Sequence, residues 1–253
     1  MALLETEAII IIEMPQGDTS KIIRVITRDY GKVSLIAKGA RTFKSRFGGA
    51  LEPLNVVNLV YYYKESRNLQ LLSKCDIIQH YESIRSDLQK LAVGLSIAEI
   101  LINLIMEEEP NEPLFNLVKL SLDSLEGTKK RYEMAYWYFL TRFLHISGFG
   151  MNVHNCQKCG KIRELLDIHF SISSGGILCN KCASKESVRR LSRETMQVLR
   201  QVLSQKLETL FNIKASQKTV KELTALFDAF YQYHFDGYKT PQALQLLNSV
   251  IVR

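Results

Sequence analysis

No run of about 18 uncharged apolar residues occurs in the 253-residue chain, which argues against a membrane-spanning helix. The most apolar long stretch, Ala92 to Met106, is interrupted by Glu99 and reads as a buried helix. The opening residues carry Glu5 and Glu7 before any base and no uninterrupted apolar segment, so no secretory signal is expected and the cytosol is the expected compartment. Cysteine is scarce: there are five, four of them in two tight CxxC pairs. A disulfide scaffold of this length needs more, spread more widely. The fifth, Cys75, stands alone in the apolar stretch Leu69 to Ile78 and reads as a small core residue. The chain contains no GxxxxGK phosphate loop, GxGxxG, HExxH or GxSxG, and the expectation is that it is not an enzyme. Internal repeats and low-complexity tracts are also missing.

The hydrophobic fraction of 46% is enough to build a real core, in one large domain or two to three small ones. The net charge of +7 is unevenly placed. Residues 1–81 hold 11 Lys/Arg against 8 Asp/Glu, residues 82–126 hold 3 against 9, and residues 127–220 hold 16 against 6. An acidic middle between two basic regions suggests different faces for different partners, a plain solvated surface being the alternative.

The first 80 residues read as β-structure. Ala8 to Ile12 is a β-branched run ended by Met14-Pro15-Gln16-Gly17-Asp18, and Lys21–Thr27, Lys32–Ala37, Asn55–Tyr63 and Leu69–Ile78 follow as four more strands. Five short strands in that span fit a small closed or partly closed barrel. Lys38 to Gly49 is long, basic and glycine-bearing, and reads as an exposed loop. From Tyr81 the pattern turns helical, with a stripe from Ile84 to Met106 broken by Pro110 and Pro113, then Leu114–Leu125 closed by Gly127. Tyr132 to Ile146 is apolar all round and belongs in the middle of a helix bundle. Ser192 is an expected helix N-cap, and one or two helices continue to about Tyr238.

Cys156-Gln157-Lys158-Cys159-Gly160 and Cys179-Asn180-Lys181-Cys182 are separated by 19 residues, a spacing suited to a four-cysteine zinc site. Two intervening residues let both thiolates of a turn face one ion, and Gly160 supplies the positive φ such a turn commonly needs. The second pair follows Ser173-Ser174-Gly175-Gly176, a turn suited to returning the chain, and Leu165 to Ile172 is placed as a strand of a zinc ribbon. Four thiolates leave no open position, so Cys156, Cys159, Cys179 and Cys182 are expected to hold a structural Zn2+, with His154 as an alternative to one of them. A redox reading needs one CxxC in a βαβ context, which is missing. Glu164, Asp167 and His169 between the pairs do not reproduce a catalytic zinc motif.

Between Lys21 and Arg46 stand eight basic residues against one acid, Asp29, with Phe43 and Phe47 interleaved among the last of them. A barrel that binds single strands needs cations along the phosphates and aromatic faces under the bases. Arg24, Lys38, Arg41, Lys44 and Arg46 are therefore the candidate phosphate contacts, and Phe43 a candidate stacking platform. The two phenylalanines fit equally well as residues closing the barrel core. Tyr61, Tyr62 and Tyr63 alternate across a strand, so they cannot all face one groove. A second basic cluster comprises Lys158, Lys161, Arg163, Lys181, Lys185, Arg189, Arg190 and Arg193, suited to nucleic acid or to an acidic protein tail.

The order of these features resembles RecO, a bacterial family of recombination mediators and repair proteins. The resemblance runs through Gly17-Asp18, Thr27-Arg28-Asp29-Tyr30-Gly31-Lys32, Lys38-Gly39-Ala40-Arg41, Lys44-Ser45-Arg46 and Leu51-Glu52-Pro53. It continues in Ser147-Gly148-Phe149 and Gly175-Gly176-Ile177-Leu178-Cys179. It implies an α+β chain: an N-terminal OB-fold β-barrel over residues 1–80, then an α-helical domain over 81–253 with a four-cysteine zinc-binding segment, 153–185, inserted. It also implies ATP-independent binding of single- and double-stranded DNA, annealing of complementary strands, and help for RecA in displacing single-strand-binding protein. RecR and the acidic C-terminal tail of single-strand-binding protein are the implied protein partners, and the bacterial cytoplasm and nucleoid the implied location. Some members of the family lack the cysteines; this chain keeps all four. Two rival readings are another OB-fold RNA-binding zinc protein and a zinc-dependent nucleic-acid enzyme.

Overall fold

The computed structural model describes residues 2–105, 109–161, 168–184 and 186–245. By compactness it divides into two units, one running to Gly127 and including the segment from Pro241, the other Thr128–Thr240. The sequence places its boundary near Tyr81, where strands give way to helices. Packing instead groups the first helices with the strands.

In the first unit five strands, β1 (Ala2–Gln16), β2 (Ser20–Thr27), β3 (Lys32–Ala37), β4 (Val56–Tyr63) and β5 (Gln70–Gln79), close in the order β1-β2-β3-β5-β4. All neighbours are antiparallel except β3 and β5, which pair in parallel through Leu35–Gln70 and Ile36–Leu71. This is the five-stranded barrel of an OB-fold. Alternation explains its core: Ile23 and Val25 on β2, Val33, Leu35 and Ala37 on β3, and Leu59 and Tyr61 on β4 all point inward and are buried. Cys75 joins them as a core residue, and burial pushes its thiol up to about 12.

Several boundaries differ from those the sequence suggests, beginning with β1, which starts at Ala2 and not at Ala8. β1 does not stop near Met14 but continues through Pro15, which lies opposite Lys21, to Gln16. The helical stripe from Ile84 is two helices, α1 (Glu82–Ser86) and α2 (Leu88–Leu104). Asp87 between them has an extended backbone, and its side chain accepts from the N–H groups of Gln89 and Lys90 as the N-cap of α2. In α3 (Glu112–Gly127), Pro113 lies in the first turn, where a missing N–H costs nothing, and the Asn111 side chain accepts from the Leu114 N–H at 2.9 Å. No described helix is long and apolar enough to cross a membrane.

The second unit is built round α4 (Glu133–Ile146), the all-round apolar helix of the sequence, with Trp137, Phe139 and Phe143 fully buried. Packed with it are α6 (Arg193–Ser204), α7 (Leu207–Leu210) and α8 (Gln217–His234), and side-chain caps set the starts of α6 and α8. Ser192 caps α6 and Ser216 caps α8, each accepting from the backbone of the threonine three residues on. The caps are also crossed: Glu222 of α8 accepts from the Ser192 N–H at 2.9 Å, and Glu194 of α6 accepts from the Ser216 N–H at 2.8 Å. A small sheet of β7 (Gly176–Leu178), β6 (Ile168–Ser171) and β8 (Arg189–Leu191), in that spatial order, carries the cysteine segment together with the short helix α5 (Asn180–Ala183).

Candidate metal centre and nucleic-acid interface

Two turns gather the cysteines. In the first, the Gly160 N–H donates to the Cys156 carbonyl at 2.8 Å, and Gly160 holds a φ of +68°, which side-chain-bearing residues resist. In the second, the Cys179 carbonyl accepts from the N–H groups of Cys182 and Ala183, each at 2.9 Å, as α5 begins. The β6–β7 hairpin brings the turns together. Asn152 donates its N–H to the Gly175 carbonyl at 2.9 Å and accepts from Ile177 at 3.0 Å, while Gln157 donates to the Ile177 carbonyl at 3.0 Å. That close approach requires a glycine: a Cβ on Gly176 would lie 2.5 Å from the Asn152 carbonyl oxygen.

All four cysteine sulfurs lie within 4.8 Å of one another. The Cys159–Cys179 Sγ separation is 3.8 Å, the edge of a tetrahedron whose metal–sulfur bonds measure about 2.3 Å. The protonation pattern points the same way. Burial opposes ionisation of Cys156, yet the N–H groups of Cys179, Cys159 and Lys158 aimed at its sulfur bring it down to about 6. Cys182 is pushed up to about 12 by its hydrogen bond with Cys179, by burial and by the other sulfurs. Four thiolates this close cannot all ionise without a cation between them, and a divalent ion resolves the conflict. The donor set fits such an ion and leaves no position for substrate. His154 is exposed and is not among the gathered donors.

Glu186 ties this centre to its support, a role nothing in the sequence announces. Its carboxylate accepts from the Ser171 and Ser174 hydroxyls of the hairpin, at 2.8 and 3.1 Å, and pairs with Lys158 inside the first turn. The Lys158 ammonium, ahead of these hydroxyls, holds the carboxyl below its ordinary range. Of the second basic cluster, Lys158, Lys161, Lys181, Arg189, Arg190 and Arg193 are exposed, whereas Arg163 and Lys185 lie outside the described residues, as do Glu164 and Asp167.

The basic loop leaves β3 at Lys38 and returns through a short 3-10 turn, Gly48–Leu51. It separates the two phenylalanines that the sequence treats alike. Phe47 is 4% exposed and closes the barrel core, whereas Phe43 is fully exposed. Lys38, Arg41, Lys44 and Arg46 are exposed too, and the Arg46 guanidinium lies over the Phe47 ring at 4.9 Å. Arg24 projects from the outer face of β2, opposite Ile12 and Ser34. The other cations of the run are committed elsewhere: Lys21 pairs with Glu13, Arg28 with Glu7 and Glu112, and Lys32 donates to the Ile102 and Ile105 carbonyls. The turn between β4 and β5 adds exposed Lys64 and Arg67, which the sequence reading passes over because the turn is short and also holds Glu65.

A closed OB-type barrel bearing a cation-rich loop, followed by a helical part with four gathered cysteines that could hold a metal ion, defines an OB-fold protein with a four-cysteine cluster. Residues 1–81 match the family model described as Recombination protein O N terminal, and residues 85–242 the one described as Recombination protein O C terminal. The chain belongs to the RecO family of DNA repair proteins. It is 33% identical over 236 residues to "DNA repair protein RecO" of Thermodesulfovibrio yellowstonii, covering 90% of each chain. Similarity to the protein of the same name from a Thermoanaerobacter species is 31% over 237 residues, covering 93% of this chain and 94% of the relative. For Pelodictyon phaeoclathratiforme the figures are 26% over 260 residues, 99% and 100%.

Proposed function

We propose that this chain is a non-catalytic mediator of recombinational repair. It binds single- and double-stranded DNA, anneals complementary strands and, with RecR, helps load RecA onto DNA coated by single-strand-binding protein. Its place is the bacterial cytoplasm, at the nucleoid. The observation that carries this reading is the exposed group Lys38, Arg41, Lys44 and Arg46 on one loop of an OB barrel, in a chain matched to the RecO family along almost its whole length. These cations, with Arg24, neutralise phosphates, and Phe43 offers an open ring to a base. The tetrathiolate centre holds structural Zn2+, which braces the β6–β7 hairpin and supplies no chemistry to a substrate. The exposed cations from Lys158 to Arg193 suit the acidic tail of single-strand-binding protein.

A strand-annealing assay with and without single-strand-binding protein, run beside metal analysis of the purified chain, tests this reading. Faster annealing without ATP and one zinc per chain are expected. A chain that neither binds nor anneals oligonucleotides contradicts it, and binding confined to RNA favours the alternative of an OB-fold RNA-binding zinc protein.

A further inference from the structure

Three of the four sulfurs are set into an apolar cluster and one is not. Cys156, Cys179 and Cys182 pack with Leu178, Ala183 and Val188, and Cys156 and Cys179 are only 3% and 5% exposed. Cys159 stands outside that cluster and is exposed to solvent. The space beside it is open as well: a Cβ placed on Gly160 would meet nothing within 4 Å. The two CxxC pairs are equals in the sequence, so this asymmetry belongs to the fold. An ion held among the four keeps each sulfur a thiolate whatever its surroundings. Access then decides which of them an oxidant in water meets first, and that is Cys159.

Cys159 also has a partner in place. Its sulfur lies 3.8 Å from that of Cys179, which belongs to the other turn. A disulfide between them ties the Cys156–Gly160 turn to the start of α5, the same two segments that a metal ion joins. A disulfide inside either CxxC pair leaves the two turns unconnected. The cross-turn bond therefore keeps the β6–β7 hairpin closed after the ion has gone, while Cys156 and Cys182 alone make too few ligands to retain it.

We infer that Cys159 is an oxidation site and Cys179 its resolving thiol, so that the centre converts reversibly to a metal-free form closed by a disulfide. The inference rests on the zinc reading above and deepens it. The oxidant is a hydroperoxide. The Cys159 thiolate attacks one peroxide oxygen, the O–O bond breaks, and the departing oxygen takes a proton and leaves as alcohol or water. The sulfenic acid left on Cys159 is then attacked by the Cys179 thiolate: the S–S bond forms, the S–O bond breaks, and hydroxide takes a second proton and leaves as water. The two thiolates have lost two electrons and the hydroperoxide has gained them. A small thiol reverses the bond by exchange. Cys75, 7% exposed in the barrel core, takes no part and serves as an internal standard.

The test treats the full zinc-loaded chain with one equivalent of hydrogen peroxide, follows released zinc with a chromophoric chelator, and maps disulfides by mass spectrometry of unreduced peptides. Zinc should leave in step with a single Cys159–Cys179 disulfide, Cys75 should stay reduced, and a thiol reductant with added zinc should restore the starting form. Amides of the hairpin should exchange as slowly in the oxidised chain as in the zinc-loaded one, and about tenfold faster in reduced chain stripped by a chelator. Cys159→His, which keeps a site of three sulfurs and one imidazole, should retain zinc and lose it to peroxide roughly tenfold more slowly. A first disulfide inside either CxxC pair, earlier oxidation of Cys75, or zinc and thiols unchanged by excess peroxide overturns the inference while the zinc reading stands. The same holds if Cys159→His releases its zinc at the unaltered rate. A purified chain without zinc overturns both.

Discussion

The Arg41 guanidinium donates to the Gly17 carbonyl at 2.6 Å, and the Arg41 N–H donates to the Thr19 carbonyl at 2.8 Å. One residue thus fastens the basic loop to the β1–β2 turn and still has guanidinium donors to offer a phosphate. Lys44, on the same loop, is exposed. The two cations should therefore respond differently to substitution. Arg41→Lys keeps the charge but loses the fork, and backbone amides of the loop should exchange faster by hydrogen-exchange mass spectrometry. Lys44→Ala should leave exchange unchanged and reduce the salt dependence of oligonucleotide binding by about one phosphate contact.

Phe43 and Phe47 make a second contrast. Phe47 closes the barrel core, and Phe47→Ala should cost roughly 3–5 kcal/mol of stability in denaturant unfolding. Phe43 touches none of that core, and Phe43→Ala should change stability by less than about 0.5 kcal/mol.

For the metal centre, Cys156→Ser should abolish stoichiometric zinc and raise amide exchange in the β6–β7 hairpin, because metal binding by such sites contributes on the order of 10 kcal/mol to local folding. The barrel, which shares no residue with the centre, should keep its own protection from exchange. Glu186→Gln is a milder lesion: zinc stays, but a chromophoric chelator should remove it faster, since the carboxylate that joins Lys158 to Ser171 and Ser174 is gone.

How far the sequence reaches is clear from these elements. The strands, the four sulfurs and the Ser192 cap are local patterns, and local patterns are legible. The split between Phe43 and Phe47 is not, because nothing in their flanking residues tells which ring finds the barrel. Pro15 reads as a strand breaker, yet it sits near the tail of β1 opposite Lys21, where losing one ladder donor is tolerated. Asp87 is a readable N-cap lost inside an apolar stripe that runs on across it. The parallel pairing of β3 with β5 through Leu35–Gln70 and Ile36–Leu71 is likewise a register set by barrel closure and by no adjacent residues.

Acid stability should report the crossed caps of α6 and α8. Hydrogen bonds from Ser216, through its hydroxyl first and then its backbone, hold Glu194 below its ordinary range. At Glu222, burial pulls upward, but the Thr195 hydroxyl and the Ser192 backbone and hydroxyl outweigh it. A carboxylate whose folded pKa is depressed contributes stability above its unfolded value, near 4.3, and that contribution fades as pH falls through the folded value. Glu222→Gln should therefore lower thermal stability at pH 7 and flatten its decline below about pH 4, measured by unfolding midpoints across that range.

Single-strand affinity as a function of salt, measured for the unaltered chain and for the double reversal Lys38→Glu with Arg41→Glu, tests the central claim most directly. Tight binding at low ionic strength, a steep linear loss with the logarithm of salt, and near-complete loss in the reversed variant are the expected results. No binding by the unaltered chain at low ionic strength, or equal affinity of the two proteins at moderate salt, would contradict the account.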